Sequence, residues 1–561
     1  MAPTRSRIIL WSALSGLLWA LAWPAIGGLS WLAFVAWLPL LHAERLHNAR
    51  TRDRPRAFYP YVLIATFIWN LSCSFWFFEV SEPISTKLVS VSAPVLVNTL
   101  LMGIPWWLKR IAHRLHGPVF ARVAFVAFWL AFERLHHGWD LQWPWFTMGN
   151  VFGADPAMAQ WYEVTGVLGG SLWILLVNLL IDHTLVTWRG SKRTMNVAVS
   201  ALVIAVPVVI SVVRFKTYST AGMRTTEVVV VQPNVDPYTE KFGGMDPMEQ
   251  LDRMLSLAEE RITDSTRLII FPETALQEGG TVDMSTGAMR FHGLWENDLE
   301  ASASVRRLRA FRLAHPQAAM LVGMNSDRWY RDGDRPLTAR ELGDGRHWYE
   351  AYNAALWMPM QGPLYSYHKS KLVAGPETMP FESVLGPLGD LALDLGGTTG
   401  TLGQQTERAV LRDPSSGLAI APAICYESVF GEHVAAHVRN GAQLIAVITN
   451  DGWWDDSPGY RQHLTFSSLR AIETRRDVVR SANTGISCTV DQRGVVANRT
   501  AWWKPAAFRA IVHLNDRITF FTRHGDLIGR AAVVITIIAL LVLIASTIRR
   551  RRSIQRNAAG E

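Results

Sequence analysis

Cysteine is nearly absent from this chain: Cys73, Cys425 and Cys488 are the only three in 561 residues. An odd number cannot all pair, so no disulfide framework is encoded, and at least one thiol stays free even in an oxidising compartment. Their spacing matches no metal-ligand pattern, and neither a metal nor a cofactor is expected. Charge is scarce as well. Only 18% of residues are charged, against 49% hydrophobic ones that include 24 tryptophans. That balance is too apolar for a soluble enzyme and too charged for a pure membrane bundle, so a membrane part joined to a soluble part is expected. The net charge of +8 would suit nucleic acid. Zinc-finger spacing, a basic helix and an RNA-stacking motif are all missing, however, and the arginines cluster beside apolar spans, so no nucleic-acid partner is expected. Internal repeats are missing too. The glycine-rich run 396–403 ("GGTTGTLG") follows no strand and lacks the phosphate-loop lysine, which makes it a loop rather than a nucleotide cradle.

What is present first is a set of long apolar stretches. Residues 1–27 have the arginines and apolar core of a signal peptide, but a second apolar stretch follows at once, up to Leu41. A helical hairpin is therefore expected. Further spans lie near 58–78, 87–108, 119–135, 162–188, 195–213 and 531–548, each close to the ~20 residues that cross a bilayer. The expected total is about eight, the first two short or tilted. Basic clusters at 45–56, 109–114, 189–193 and 549–552 alternate with poorly charged turns near 27 and 80–86 and with the aromatic loop 137–149. The positive-inside rule makes the basic loops and both termini cytoplasmic. Residues 214–529 then lie outside, in the periplasm of a bacterium. The tryptophan-rich "HHGWDLQWPWFTMGN" is expected at the headgroup level, with a lipid-binding mouth as the sharper alternative.

The expected organisation is a transmembrane bundle of about seven spans over 1–213, a soluble domain over 214–529, and a last helix with a basic tail over 530–561. Within the soluble block, "EVVVVQPNV", "RLIIFPETA", "AAMLVGMNS", "LAIAPAICYE" and "QLIAVITND" read as strands buried on both faces. Helical patterns over 247–263, 301–314 and about 460–478 alternate with them, which predicts an α/β layered fold. Polar residues stand where the strands stop: Glu273, Asn325, Cys425, Asn450 and Asp451. Ligands of open α/β sheets sit at those carboxyl ends.

"FPETA", "YHKSKLVAGPETMP" and "AICYES" supply Glu273, Lys369 and Cys425. Acyl transfer through a thiol needs these three kinds of group: a nucleophile, a base for its proton, and a cation for the tetrahedral oxyanion. The glutamate disfavours a thiolate and the lysine favours it, so the groups titrate as a coupled unit. Cys73, inside an apolar span, and Cys488, in a strand-like run, read as core residues. Glu133, Arg134 and Glu163 stand at span ends, where charged groups snorkel or pair.

In this order and setting the three motifs resemble the nitrilase (carbon–nitrogen hydrolase) superfamily, and the whole chain resembles its membrane branch, the apolipoprotein N-acyltransferases. The resemblance implies an αββα sandwich inserted before the last span. It implies Glu273 as general base, Lys369 as stabiliser of oxyanion and thiolate, and Cys425 as nucleophile. Glu377 matches a glutamate needed beside the triad, and Tyr426 and Glu427 match the residues that follow the nucleophile and shape the pocket. Asn353 in "YNAAL" and Trp453 in "NDGWW" fit the pattern, and "SANTGIS" (481–487) is similar to the strand behind the site. Lys371 stands where histidine is usual, and Phe242 where some relatives have tryptophan. The implied reaction moves an acyl chain from a phospholipid, phosphatidylethanolamine as in relatives, through a Cys425 thioester to the N-terminal diacylglyceryl-cysteine of an apolipoprotein. The stretch 379–395 and "DGWWDD" are expected flaps. A membrane-tethered amidase using water and a non-catalytic lipid- or lipoprotein-binding protein are the alternative readings.

Overall fold

The structure is a computed structural model that describes residues 4–51, 55–81, 83–242, 244–282, 289–331, 333–341, 346–381 and 401–559. The chain divides into two compact units. One comprises Met1–Phe78, Leu88–Lys216 and His524–Glu561, the other Glu79–Lys87 and Thr217–Arg523.

Among the described residues, the first unit and its junctions hold five helices long and apolar enough to cross a membrane: Tyr59–Glu79, Ile84–Leu135, Val167–Val186, Arg193–Thr217 and Leu527–Ser553. The second of these is broken at Gly117, whose φ of +81° only glycine adopts without strain, and Pro118 opens the next segment. The rings of Trp106 and Phe125 meet at 4.8 Å across that break, and Ala112 packs in one apolar cluster with Ala121, Ala124 and Phe128. The expected spans 87–108 and 119–135 thus form a helical hairpin. At the N-terminus, Arg5–Ala22 is a helix of 18 residues. The apolar stretch up to Leu41 is not one helix: it forms the 3₁₀ turn Ser30–Phe34 and then enters the helix Leu38–Thr51.

Two basic stretches expected as loops are helical instead. The helix Leu38–Thr51 takes up the first part of 45–56, and 109–114 lies inside the helix Ile84–Leu135. The reason is charge pairing. Buried Lys109 and Arg110 both reach buried Glu44, Lys109 in a direct hydrogen bond and Arg110 at 3.5 Å. Charges leave water at tolerable cost only when matched in this way. The aromatic loop also departs from expectation. Trp145 and Phe146 are buried, Trp145 against Trp76 and Phe146 against Trp23 and Trp69, within a ring cluster that continues through Trp19 and Trp37. These ring contacts, tilted, stacked and edge-to-face, make Trp145 and Phe146 part of the aromatic interior of the bundle.

The second unit is a four-layer αββα sandwich. One sheet runs in the order Ala506–His513, Thr225–Gln232, Thr266–Ile270, Ala319–Arg331, His347–Met358, Arg340–Glu341, with Tyr365–His368 paired to His347–Met358. The other runs Leu411–Asp413, Leu418–Ile424, Leu444–Thr449, Val478–Ala482, Cys488–Val490, Val496–Ala497. All five expected strand runs are strands, and their period-two alternation separates the layers. Val228 and Val230 point between the sheets, where they meet Ile420, Leu444 and Ile448. Val229 and Val231 point outward to Leu251, Met254 and Leu308 of the helices Pro247–Glu259 and Ala303–Ala314. Ala421 and Ile445 face the helices Gly431–Arg439 and Pro458–Thr474 on the opposite side. Asp246 and Ser457 cap two of these helices, each followed by proline at the first helical position.

Candidate active site

Glu273 stands three residues past the strand Thr266–Ile270, and Cys425 directly follows Leu418–Ile424. Lys369 directly follows Tyr365–His368, where its backbone N–H donates to Asn353 O at 2.9 Å. The side chains converge. Lys369 Nζ donates to Glu273 Oε1 at 3.1 Å and to Glu377 Oε1 at 2.8 Å. Asn353 Nδ2 bridges the same two oxygens, at 2.7 and 2.9 Å. The other oxygen of Glu273 accepts from Asn450 N at 2.9 Å, and that of Glu377 from Val373 N at 2.8 Å. One ammonium therefore sits between two carboxylates whose remaining lone pairs are held by fixed donors.

Burial by itself would lower the Lys369 ammonium. Glu273, Glu377 and the Cys425 sulfur outweigh it and push the group well above the ordinary lysine value. Burial pushes the half-buried Cys425 thiol well up, Glu273 adds to this, and Lys369 opposes it. A thiol held up in this way needs a base before it can act as a nucleophile.

Cys425 has φ +50°, left-handed for a residue with a side chain, at a cost of about 1–2 kcal/mol. Its carbonyl accepts from Ser428 Oγ at 2.7 Å and lies 3.1 Å from His463 Nε2. His463 Nδ1 lies 2.9 Å from Asp451 Oδ1, and Arg480 hydrogen-bonds the other oxygen of Asp451. Burial would raise the Asp451 carboxyl, but His463 and Arg480 hold it below its usual value. The ligand atoms of Cys425, Asp451 and His463 fall within 4.8 Å of one another, close enough for a metal. Asp451 is already taken up by His463 and Arg480, and both ring nitrogens of His463 have protein neighbours, so this trio fits support of a strained turn better than metal binding.

Glu427, fully buried, ties two parts of the site together. Oε2 accepts from Ile424 N at 2.8 Å, the residue before Cys425. Oε1 accepts from Ser370 N at 2.6 Å, the residue after Lys369, and from Tyr367 Oη at 2.8 Å. Burial would raise this carboxyl; His433 at 3.3 Å and the two backbone donors reverse that and hold it at about 2. Burial also lowers His433, so at neutral pH the backbone bonds are the lasting part of the clamp.

The remaining expected residues lie around this centre. Tyr426 is buried edge-on to Phe430 at 5.1 Å, its hydroxyl raised first by burial and then by Cys425. Trp453 does not join the polar cluster: it stacks on Phe242 at 5.8 Å, and its carbonyl accepts from Tyr238 Oη at 2.9 Å. Lys371 Nζ lies over the Phe430 ring at 4.9 Å. In "SANTGIS", Asn483 Nδ2 donates to Asn450 Oδ1 at 3.0 Å, which braces the residue that holds Glu273. Of the expected flaps, 382–395 lies outside the described residues, and "DGWWDD" forms the 3₁₀ turn Asp451–Trp454 and the residues after it.

Lys241, His463 and Arg480 were not singled out in the sequence. Lys241 Nζ donates to the Glu273 carbonyl at 2.8 Å, and burial pulls its ammonium down to about 7 against the opposing influence of Glu273. Its only local signal is its place beside Phe242.

Comparison with known proteins follows the same division of the chain. The family model for carbon-nitrogen hydrolases matches residues 228–516, and that for the apolipoprotein N-acyltransferase N-terminal domain matches residues 15–180. The apolipoprotein N-acyltransferase of Chlorobaculum tepidum is 30% identical over 552 residues, covering 96% of each chain. That of Geobacter metallireducens is 24% identical over 98% of this chain and 96% of its own. Among solved structures, Saccharomyces cerevisiae Nit3, a member of branch 10 of the nitrilase superfamily, is 15% identical over 55% of this chain and 97% of its own, with a TM-score of 0.36. The chain belongs to the apolipoprotein N-acyltransferase family.

Proposed function

We propose that this protein is an N-acyltransferase that moves a fatty acyl chain from a phospholipid, through a thioester on Cys425, to the N-terminal diacylglyceryl-cysteine of apolipoproteins. The observation that carries the reading is the Lys369 ammonium held between Glu273 and Glu377 at the strand ends that also present Cys425. In the first half-reaction the Cys425 sulfur attacks the acyl ester carbonyl while Glu273 takes the thiol proton. Lys369 stabilises the oxyanion. Collapse breaks the ester C–O bond, and Glu273 returns the proton to the departing alkoxide of the lysophospholipid. In the second, the amine of the acceptor attacks the thioester carbonyl and Glu273 takes a proton from nitrogen; the C–S bond breaks, the amide forms, and Glu273 returns the proton to the departing thiolate of Cys425. Glu377, Asn353 and Glu427 hold the reacting groups, while Tyr426 and Trp453 line the pocket.

Phosphatidylethanolamine is the proposed donor. Residues 1–213 are assigned to the membrane, 214–529 to the catalytic domain and 530–561 to the last helix and basic tail. The protein is placed in the bacterial inner membrane, with the catalytic domain in the periplasm and both termini in the cytoplasm. The basic clusters at 189–193 and 549–552, against the poorly charged turns near 27 and 80–86, support this orientation. Both substrates carry acyl chains and reach the enzyme by lateral diffusion, which accounts for a hydrolase-like fold joined to a membrane bundle.

The rival reading, hydrolysis by water, shares the triad and differs in the second acceptor. Purified enzyme is incubated with phospholipid labelled in its acyl chain, first alone and then with a diacylated lipopeptide. The proposal expects label to stay on protein until peptide is added and then to appear as amide. Steady release of free fatty acid, unaffected by peptide, would favour the hydrolase.

A further inference from the structure

The membrane unit contains a cavity of about 500 Å³ between the segment after Pro118, the helix Val167–Val186 and the start of the last helix. Its walls are apolar, with Leu130, Leu172, Leu176 and Ile535 among them, and Leu176 and Ile535 are exposed side chains of membrane-spanning helices. Two polar residues join this lining, and they stand together: Arg122 Nη1 lies 3.2 Å from His183 Nδ1. Among the described residues no ion pair joins Arg122 to a carboxylate. An ionisable group in a membrane segment with no matching countercharge points to a ligand.

The dimensions say which ligand. Asp526 lies 3.6 Å from Arg134, while Ala539 and Leu543 pack against Ala112 and Ala121, so the last helix runs antiparallel to the segment after Pro118. Arg122 and His183 therefore mark one end of the cavity, and Leu130, Leu172 and Ile528 the other. From Leu172 to His183 the helix rises about 16 Å. That is about half of the ~30 Å hydrocarbon core, the depth of one leaflet. A cation at one end of an apolar slot one leaflet deep is complementary to a single phospholipid, with its phosphate at Arg122 and an acyl chain along Leu176 and Ile535.

We propose that this groove binds one phospholipid molecule as a fixed constituent of the membrane unit, at a site built without Glu273, Lys369 or Cys425. Arginine suits the phosphate because its fork can make two parallel charge-assisted hydrogen bonds.

The test uses the purified full-length Cys425→Ala chain, which cannot form a thioester, and a phospholipid carrying a diazirine in its acyl chain. After illumination and proteolysis, labelled peptides are located by mass spectrometry. The expected label falls within 172–183 or 528–535. It drops about tenfold or more in Arg122→Ala, which removes the cation and both of its hydrogen bonds, and returns in part in Arg122→Lys, which restores the charge without the fork. Leu176→Trp, which fills the slot and leaves the cation in place, lowers it as well and serves if Arg122→Ala does not fold. A diacylglycerol with the same diazirine, lacking the phosphate, labels these peptides about tenfold less or lower still. Equal labelling by diacylglycerol, or labelling unchanged in both Arg122→Ala and Leu176→Trp, would overturn the proposal. Because no acyl transfer is read, neither result depends on the proposed catalytic reaction.

Discussion

Glu427 shows how one buried side chain can set the distance between two others. Its carboxylate accepts from the backbone on either side of the chemistry, at Ile424 and Ser370. Replacing it by glutamine puts an amide N–H₂ against one of those donors. Glu427→Gln is expected to lower acyl transfer about 10–100-fold through misplacement of Cys425 and Lys369. It should also cost about 1–3 kcal/mol of stability at neutral pH. The sign of the pH dependence follows from the carboxyl being held at about 2 in the folded protein, below its ordinary 4.5. The unfolded chain binds the proton first as pH falls, so this stabilisation is complete above about 4.5 and disappears toward 2. Melting curves of wild type and variant in detergent should therefore differ most at neutral pH and converge in acid. A gap that stays constant across that window would remove Glu427 from the clamp.

At the scale of elements, the site depends on how closely Ala319–Arg331 passes the residues after Thr266–Ile270. A Cβ at Gly323 would lie 2.3 Å from Pro272 O and 2.6 Å from Glu273 Cα. Gly323→Ala must then displace Glu273. The expected result is a fall in kcat of about 100-fold, with a much smaller change in the binding of a non-reactive phospholipid analogue. Unchanged kcat would mean that Glu273 need not sit where it does. These same elements show what the sequence could reveal. Runs such as "EVVVVQPNV" were readable because strands buried on both faces are apolar without interruption, and their ends are marked by polar residues such as Glu273 and Cys425. His463 and Arg480 were not readable, because their meaning comes from Asp451, which the fold brings to them from another strand end. Lys109 and Arg110 looked like a loop because Glu44, which allows them to be buried, lies far away in the chain. The tryptophan loop reads as a headgroup anchor from its composition, because the rings that bury Trp145 and Phe146, such as Trp76 and Trp69, lie far away in the chain.

For the whole molecule, a bundle with helices apolar enough to cross a membrane is joined to a sandwich that matches the carbon-nitrogen hydrolases, and the proposed reaction uses both. The proposed orientation predicts opposite access for two exposed positions in a Cys425→Ala background. Ala221→Cys should react with a membrane-impermeant thiol reagent on intact spheroplasts, and Ser553→Cys only after lysis; the reverse pattern would put the catalytic domain in the cytoplasm. The central claim, that Cys425 carries the acyl group between donor and acceptor, is tested most directly by peptide mass spectrometry of enzyme incubated with phospholipid. The account predicts a fatty-acyl mass on the peptide containing Cys425, removed by a diacylated lipopeptide and absent when Glu273 is replaced by glutamine. Full transferase turnover with that cysteine never acylated, or with Cys425→Ala still active, would contradict it.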